Sequence, residues 1–357
     1  MKPIIQTTGY SIQFTHSAGE SIDQFIEAHN YSSVFVLMDE NVMQHCWPII
    51  QFESKSLENV EILLVDAGEE QKDIEIATQL WHSLIEAKAD RASLLINIGG
   101  GMISDLGGFV ASTYKRGIDF INIPTSLLSM VDASIGGKTA VNLHHLKNQV
   151  GVFCNPKAIY IQTDFLKTLD PRQMLSGWAE MLKHGLIADE KHWNKLIEVT
   201  ELSIENIAPH IPRSIEIKKE IVEQDPQEKN IRKKLNFGHS LGHIIESFSL
   251  ENDSDHLLHG EAVAIGMIME SYLSVKLNGL SKDALQLISA QIGSFFNKYE
   301  IQDQLIAQSF DYLLQDKKKE GNELNLTFVS AIGESVINQN CKFEDIIESI
   351  NYYKDNC

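Results

Sequence analysis

Leu94-Leu95-Ile96-Asn97-Ile98-Gly99-Gly100-Gly101-Met102-Ile103-Ser104-Asp105 passes from an apolar strand pattern, through three glycines, into a helical pattern. Glycines at such a junction let the backbone turn sharply and approach a phosphate at the helix N-terminus. The run matches the dinucleotide fingerprint only in part, because Ser104 holds the third glycine's place. Read alone, it is equally a tight strand-to-helix turn.

Its surroundings favour the nucleotide reading. Short apolar strands are expected at 34–38, 62–65, 94–98, 120–123 and 158–161, with helical stretches such as 74–89 between them. That alternation predicts a largely parallel sheet covered by helices. Beyond Asp170 the pattern turns helical, at 171–188, 202–224, 237–249, 260–277 and 282–296. Asp170-Pro171 is a helix start, with a capping residue and then proline at the first helical position. A hairpin at 324–329 and 335–337 and a last helix at 344–353 follow. The expected architecture is an α/β nucleotide-binding domain over 1–169 and a mainly helical, all-α-class domain over 170–357.

Composition narrows the function. The chain has 357 residues, 43% hydrophobic and 22% charged, the profile of a globular protein with room for two cores. Apolar runs are too short to span a bilayer. The first residues, Met1 to Gln6, lack the layout of a signal peptide. The four cysteines, Cys46, Cys154, Cys341 and Cys357, form no CxxC pair, which fits reduced thiols and a cytoplasmic location. Acidic residues outnumber basic ones by 49 to 30, for a net charge of −19, which argues against nucleic acid as a partner. A local basic pocket for a small anion remains compatible, since exposed charges are screened over about 8 Å.

The chemistry-bearing residues cluster in the second half. His239 and His243, in Asn236-Phe237-Gly238-His239-Ser240-Leu241-Gly242-His243, lie four apart, so on a helix both rings leave one face. With His256 or His259 as a third imidazole, they make a candidate site for zinc or a similar divalent metal. Glu180, in Trp178-Ala179-Glu180-Met181-Leu182-Lys183, is a candidate acidic ligand. A charged pair such as Glu180 and Lys183 is otherwise an exposed helix edge, and Lys218 alone reads as surface. Arg232 and Asn236 share a face with the histidines only if that helix begins before Phe237. In the first half, Ile135-Gly136-Gly137-Lys138-Thr139 looks like part of a phosphate loop, but Ala133 or Asp132 stands where that loop needs glycine. Carboxylates after strands, such as Asp39 and Glu69, are either ribose ligands or helix caps.

Taken together, these segments resemble the 3-dehydroquinate synthase family nearly end to end. The likeness runs through Gly99 to Asp105, Arg116-Gly117, Pro124-Thr125-Ser126, Asp132 to Asn142, Lys147-Asn148, Phe165 to Thr168, Ala179 to Lys183, Asn236 to His243 and His259 to Gly266. It implies a carbon–oxygen lyase of the shikimate pathway that uses NAD and a divalent metal, zinc or cobalt. The expected reaction converts 3-deoxy-D-arabino-heptulosonate 7-phosphate to 3-dehydroquinate and phosphate. A transient oxidation, β-elimination, re-reduction and intramolecular aldol closure carry it.

By the same resemblance, metal falls on Glu180, His239 and His259, and His243 faces substrate. NAD falls on Asp39, Asn41, Ala67, Gly68, Glu69, Glu70, Gln71, Lys72, Gly101, Met102, Ile103, Ser104, Asp105, Thr125, Ser126, Lys138, Lys147, Phe165, Leu166, Lys167 and Thr168. Asp132, Lys138, Asn148, Lys183 and His243 are implied catalytic residues, and Arg116, Lys218, Arg232 and Asn236 bind substrate. One of Lys317 and Lys318 is also implied at the site. Family members are usually homodimers, so the resemblance implies a homodimer here. Ser104, Lys115, Leu146 and a long loop at 251–258 depart from the pattern. Another sugar phosphate cyclase, a metal-dependent polyol dehydrogenase of related fold and a non-catalytic metal- and nucleotide-binding protein are the rival readings.

Overall fold

The computed structural model describes residues 4–143, 146–306, 319–320 and 323–357, so Lys317 and Lys318 lie outside the described residues. The chain forms two compact units, Met1–Asp170 and Pro171–Cys357.

The first unit is built on a seven-stranded sheet. Its strands are β1 (Ile4–Gln6), β2 (Ser11–Phe14), β3 (Val34–Asp39), β4 (Glu61–Val65), β5 (Leu94–Gly99), β6 (Asp119–Pro124) and, after a separate hairpin, β9 (Ala158–Ile161). Their order is β1-β2-β9-β6-β5-β3-β4, parallel throughout except for the β1–β2 pair. Every residue of β5 is buried, as expected of an inner parallel strand covered on both faces. Helices α1 (Ala18–Glu27), α2 (Glu40–His45), α3 (Trp47–Glu53), α4 (Ile74–Glu86) and α5 (Gly101–Thr113) connect or flank these strands. Side chains of Ser17, Asp39 and Asp73 cap α1, α2 and α4 through backbone amides two or three residues on, which ends each loop sharply. Phe35, Leu37, Leu95, Leu106, Phe109 and Phe120 belong to one core between sheet and helices.

The separate hairpin, β7 (Lys138–Leu143) and β8 (Leu146–Phe153), was not expected. Thr139 and Val141 face inward while Lys138 is exposed, so the alternation is present but too short to stand out among glycines and polar residues.

The second unit is mainly helical. Its helices are α6 (Pro171–Ala188), α7 (Glu190–Leu196), α8 (Ile204–Ile207), α9 (Ile211–Gln224), α10 (His239–Asn252), α11 (His259–Asn278), α12 (Lys282–Gly293) and α13 (Phe343–Asn356). The late hairpin is β11 (Glu323–Ala331) and β12 (Glu334–Cys341), joined by a two-residue strand β10 (Lys319–Glu320). α11 is apolar nearly all round and packs against α6, α10, α12, α13 and β11, which makes it the central helix of this unit.

Two helix expectations are corrected. The helix expected over 202–224 breaks at Ala208–His210, because Pro209 and Pro212 lack the amides that a continuous helix requires. The helix expected from Phe237 starts at His239, because Gly238 is left-handed, with φ of 79°. Arg232 and Asn236 therefore lie on a separate 3-10 turn, Ile231–Asn236, and share no helix with the histidines.

Candidate metal centre and nucleotide-binding residues

In the second unit, α6, α10 and α11 bring Glu180, His239 and His259 to one point. Glu180 Oε1 lies 3.5 Å from His239 Nε2 and 4.0 Å from His259 Nε2. Donors that share one tetrahedral ion at about 2.1 Å stand about 3.4 Å apart, so the three side chains are spaced as a ligand set. Glu180 is fully buried, and no described residue donates a hydrogen bond to its Oε1. Lys183, one turn on and 1% exposed, pairs with Oε2. The pair expected at a helix edge is thus wholly inside the fold. A buried carboxylate with hydrogen-bonding capacity unmet is suited to a cation.

Burial holds the His239 imidazole well below its usual pKa, and the neighbouring Lys183 charge pushes the same way. The neutral ring this favours is the form that ligates metal. The rings of His239, His243 and His259 sit with centroids 5.2–5.9 Å apart. His243, Glu246 and His259 also have donor atoms close enough to hold a metal. His259 is common to both groups. Its Nε2 points toward Glu180, while its Nδ1 is 3.3 Å from Glu246 Oε2. A carboxylate on the far nitrogen is the usual way a ligating imidazole is oriented.

Sequence reading missed Glu246, although His239, His243 and Glu246 fall at helical positions 0, +4 and +7 of one face. It also missed Arg172, which donates two hydrogen bonds to Glu261, at 2.9 and 2.7 Å. Glu261 in turn accepts the amide of Leu258 at 2.7 Å and so fixes the turn leading to His259.

The remaining second-unit candidates sit on α9 and the turn that follows. Lys218 is buried, contrary to its surface reading. Arg232 is 2% exposed and donates through Nη1 to Pro226 O at 2.7 Å. Asn236 Nδ2 donates to Glu228 Oε1 at 2.8 Å. Asp225 organises this loop by accepting the amides of Lys229, Asn230 and Arg232.

In the first unit, most of the nucleotide candidates follow the C-terminal ends of adjacent parallel strands, where open α/β sheets bind ligands. Asp39 ends β3, and its side chain caps α2 through Val42 N at 2.9 Å; Asn41 is exposed in that helix. Ala67 to Lys72 follow β4 and include the 3-10 turn Glu69–Gln71. Gly101 to Asp105 follow β5 and form the first turn of α5, where Ser104 is buried with its hydroxyl on Gly100 O. Thr125 and Ser126 follow β6, and Phe165 to Thr168 follow β9. Phe165 and Leu166 are buried there, whereas Lys167 and Thr168 are exposed.

The structure joins two of these groups. Lys72 Nζ lies 2.6 Å from Asp105 Oδ2 and 3.6 Å from Glu69 Oε1. Burial opposes the Lys72 charge, but Asp105 and Glu69 outweigh it and raise its pKa. Lys138 and Asn148 are both on the hairpin but are not neighbours. Lys138 pairs with Phe153 at one end of the ladder, and Asn148, with φ of 54°, lies near the other. Asn142 Oδ1 accepts the Asn148 amide at 2.9 Å, and the Asn142 amide donates to Lys72 O at 2.7 Å. Arg116 is exposed, with φ of 73°, after Lys115 at 48°. Asp132 lies in the short helical segment Ser129–Ala133, and Lys147 is half-buried.

This combination of a parallel-sheet unit and a helical unit is a fold shared with solved carbocycle-forming synthases and with dehydrogenases. 2-Deoxy-scyllo-inosose synthase, solved with carbaglucose-6-phosphate, NAD+ and Co2+, superposes with a TM-score of 0.87 at 24% identity, covering 99% of this chain and 100% of that one. ValA, the 2-epi-5-epi-valiolone synthase of Streptomyces hygroscopicus, solved with NAD+ and Zn2+, gives 0.82 at 23% identity over 99% of each chain. A probable glycerol dehydrogenase from Sinorhizobium meliloti is more distant, at 0.66 and 13% identity over 98% of each. Sequence then names the branch. The family models for the 3-dehydroquinate synthase N-terminal and C-terminal domains match residues 62–176 and 177–319. The 3-dehydroquinate synthase of Parabacteroides distasonis is 39% identical over 336 residues, 94% of this chain and 95% of that protein. That of Campylobacter concisus is 42% identical over 295 residues, 82% and 84%. The chain belongs to the 3-dehydroquinate synthase family.

Proposed function

We propose that this chain converts 3-deoxy-D-arabino-heptulosonate 7-phosphate to 3-dehydroquinate and phosphate, as a carbon–oxygen lyase of the shikimate pathway with NAD and a divalent metal, zinc or cobalt. The carrying observation is the buried Glu180 carboxylate, whose Oε1 receives no hydrogen bond from any described residue and faces His239 and His259. These three residues fit a metal and are assigned as its ligands. A metal held by these residues would supply Lewis acidity toward a substrate hydroxyl, and bound NAD would supply a reversible hydride acceptor, with zero net redox change.

The other roles belong to the chain's own residues. The substrate carries roughly three negative charges near neutral pH, which a −19 protein must meet with a local cation set. Lys183, Lys218 and Arg232 of the second unit are assigned to that set, and Arg116 and Lys138 of the first unit are assigned to substrate by the family likeness alone. The planar fork of Arg232 suits a carboxylate, and Asn236 adds a donor. Asp132, Asn148 and His243 are assigned to orient hydroxyls and relay protons. The strand-end residues of the first unit, from Asp39 to Thr168 as placed above, are assigned to NAD together with Lys138 and Lys147.

The four cysteines are free, which supports a reducing, cytoplasmic location. No described helix is long and apolar enough to cross a membrane. The proposed assembly is a homodimer that binds a small anionic sugar phosphate and neither nucleic acid nor membrane.

The decisive experiment incubates chelated protein with the heptulosonate phosphate and NAD, then restores zinc. Phosphate release that depends on metal, without net absorbance change at the NADH band, is the expected result. Stoichiometric NADH would identify a polyol dehydrogenase instead, and no phosphate release would end the proposal.

A further inference from the structure

α10 begins with His239, yet its start has no side-chain cap of its own, since Gly238 occupies the capping position. The cap comes from a different helix. Glu270, in the middle of α11 and fully buried, accepts the Gly238 amide through Oε2 at 2.7 Å and the Leu241 amide through Oε1 at 3.1 Å. The two carboxylate oxygens thus bracket the residue that carries the first imidazole.

The backbones approach closely around this contact. A Cβ on Gly266 would collide with Gly238 O and with Gly242 N. A Cβ on Gly238 would meet Met267 Cγ at 2.5 Å and Val263 O at 3.0 Å. Glycine at these places lets α11 lie directly against the first turn of α10. A carboxylate there meets amides that have no partner within α10, at the end of the helix dipole that favours negative charge. The left-handed Gly238 leaves the direction of α10 to be set by whatever holds those amides.

We propose that Glu270 is a positioning residue for the metal centre: it clasps the first turn of α10 to α11 and so sets His239 relative to His259, which α11 itself carries. This rests on the assignment of Glu180, His239 and His259 as metal ligands. Its two bonds to the start of α10 are to backbone amides, so this clasp acts through the backbone of α10.

The test compares Glu270→Ala, Glu270→Gln and, as control, Ser274→Ala in the full-length protein. Ser274 is also fully buried on α11, bonding to Glu270 O and Val329 N and not to α10. Cobalt(II) is the probe, read by equilibrium dialysis and by its visible absorption bands. Hydrogen exchange of the amides at 238–242 is followed in the metal-free protein.

Glu270→Ala should weaken cobalt binding about 10- to 100-fold, as loss of a supporting residue does, shift the bands and speed exchange of those amides. Glu270→Gln, which can accept from one amide only, should fall between. Ser274→Ala should lower stability while leaving band positions and those amides unchanged. Bands and exchange in Glu270→Ala that match the control would overturn the proposal. A wild-type protein that binds no cobalt would overturn the ligand assignment instead, and the exchange data would still decide whether Glu270 clasps α10.

Discussion

Glu180 Oε1 faces His239 Nε2 at 3.5 Å, from a helix that also buries Lys183 one turn further on. A carboxylate, an ammonium and an imidazole thus share one interior point. Removing Glu180 or Lys183 should change the charge balance at this point, and removing Glu180 or His239 should weaken metal binding.

Glu180→Gln keeps the side chain's shape and removes its charge. Metal content after dialysis should drop, with affinity reduced by more than about 100-fold, beyond what a supporting residue contributes. The Lys183 ammonium is then buried without its partner, and unfolding stability should fall by about 3–5 kcal/mol. Atomic emission and urea denaturation measure the two effects. Full metal content in the variant would remove Glu180 from the ligand set.

Glu246→Gln tests the far nitrogen of His259, 3.3 Å from the Glu246 carboxylate. An amide oxygen can still accept from Nδ1 but lacks the charge that strengthens the ring as a ligand. Metal affinity should fall about tenfold in Glu246→Gln and toward 100-fold in Glu246→Ala. Equal affinity in all three proteins would show that His259 needs no such support.

Asp105→Asn separates nucleotide from metal. Asp105 lies 2.6 Å from the buried Lys72 ammonium, and both belong to the proposed NAD set. Titration calorimetry should show NAD binding weakened by about tenfold, equivalent to about 1.4 kcal/mol, with zinc content unchanged. Unaltered NAD affinity would count against the assignment.

His192 gives the second unit a pH dependence away from the metal. It is buried, with Nε2 3.0 Å from Ser214 Oγ, and burial depresses its pKa from 6.5 to about 4. Between those values the unfolded chain binds the proton more readily than the folded one. The stability that His192 contributes is therefore complete above pH 6.5 and is lost as pH falls toward 4, by about 3 kcal/mol in all. Urea midpoints measured across this window should flatten in His192→Gln. An unchanged slope would mean that other groups govern the acid limb.

Local signals in the sequence were strong where burial and punctuation coincide. The strand at 158–161 and the helix Pro171–Ala188 have the expected bounds, one as a short apolar run and the other opened by proline. β1, β2 and the β7–β8 hairpin passed unnoticed because their apolar residues are few and partly exposed. At Gly238 the apolar pattern continued across a residue whose backbone conformation breaks the helix, and only φ reveals it.

The sequence alone determined the family, the two kinds of architecture along the chain and the residue types for metal and nucleotide, because motifs and periodicity are local properties of the chain. It also placed His239 and His243 on one helical face. Tertiary structure decided what no spacing encodes. Glu180 meets His239 and His259 only because α6, α10 and α11 pack together, Lys183 is interior and not an edge, and Glu246 and Glu270 acquire partners from another helix. Burial and the direction in which a side chain leaves its helix depend on which elements touch, and that contact is settled by the packed core.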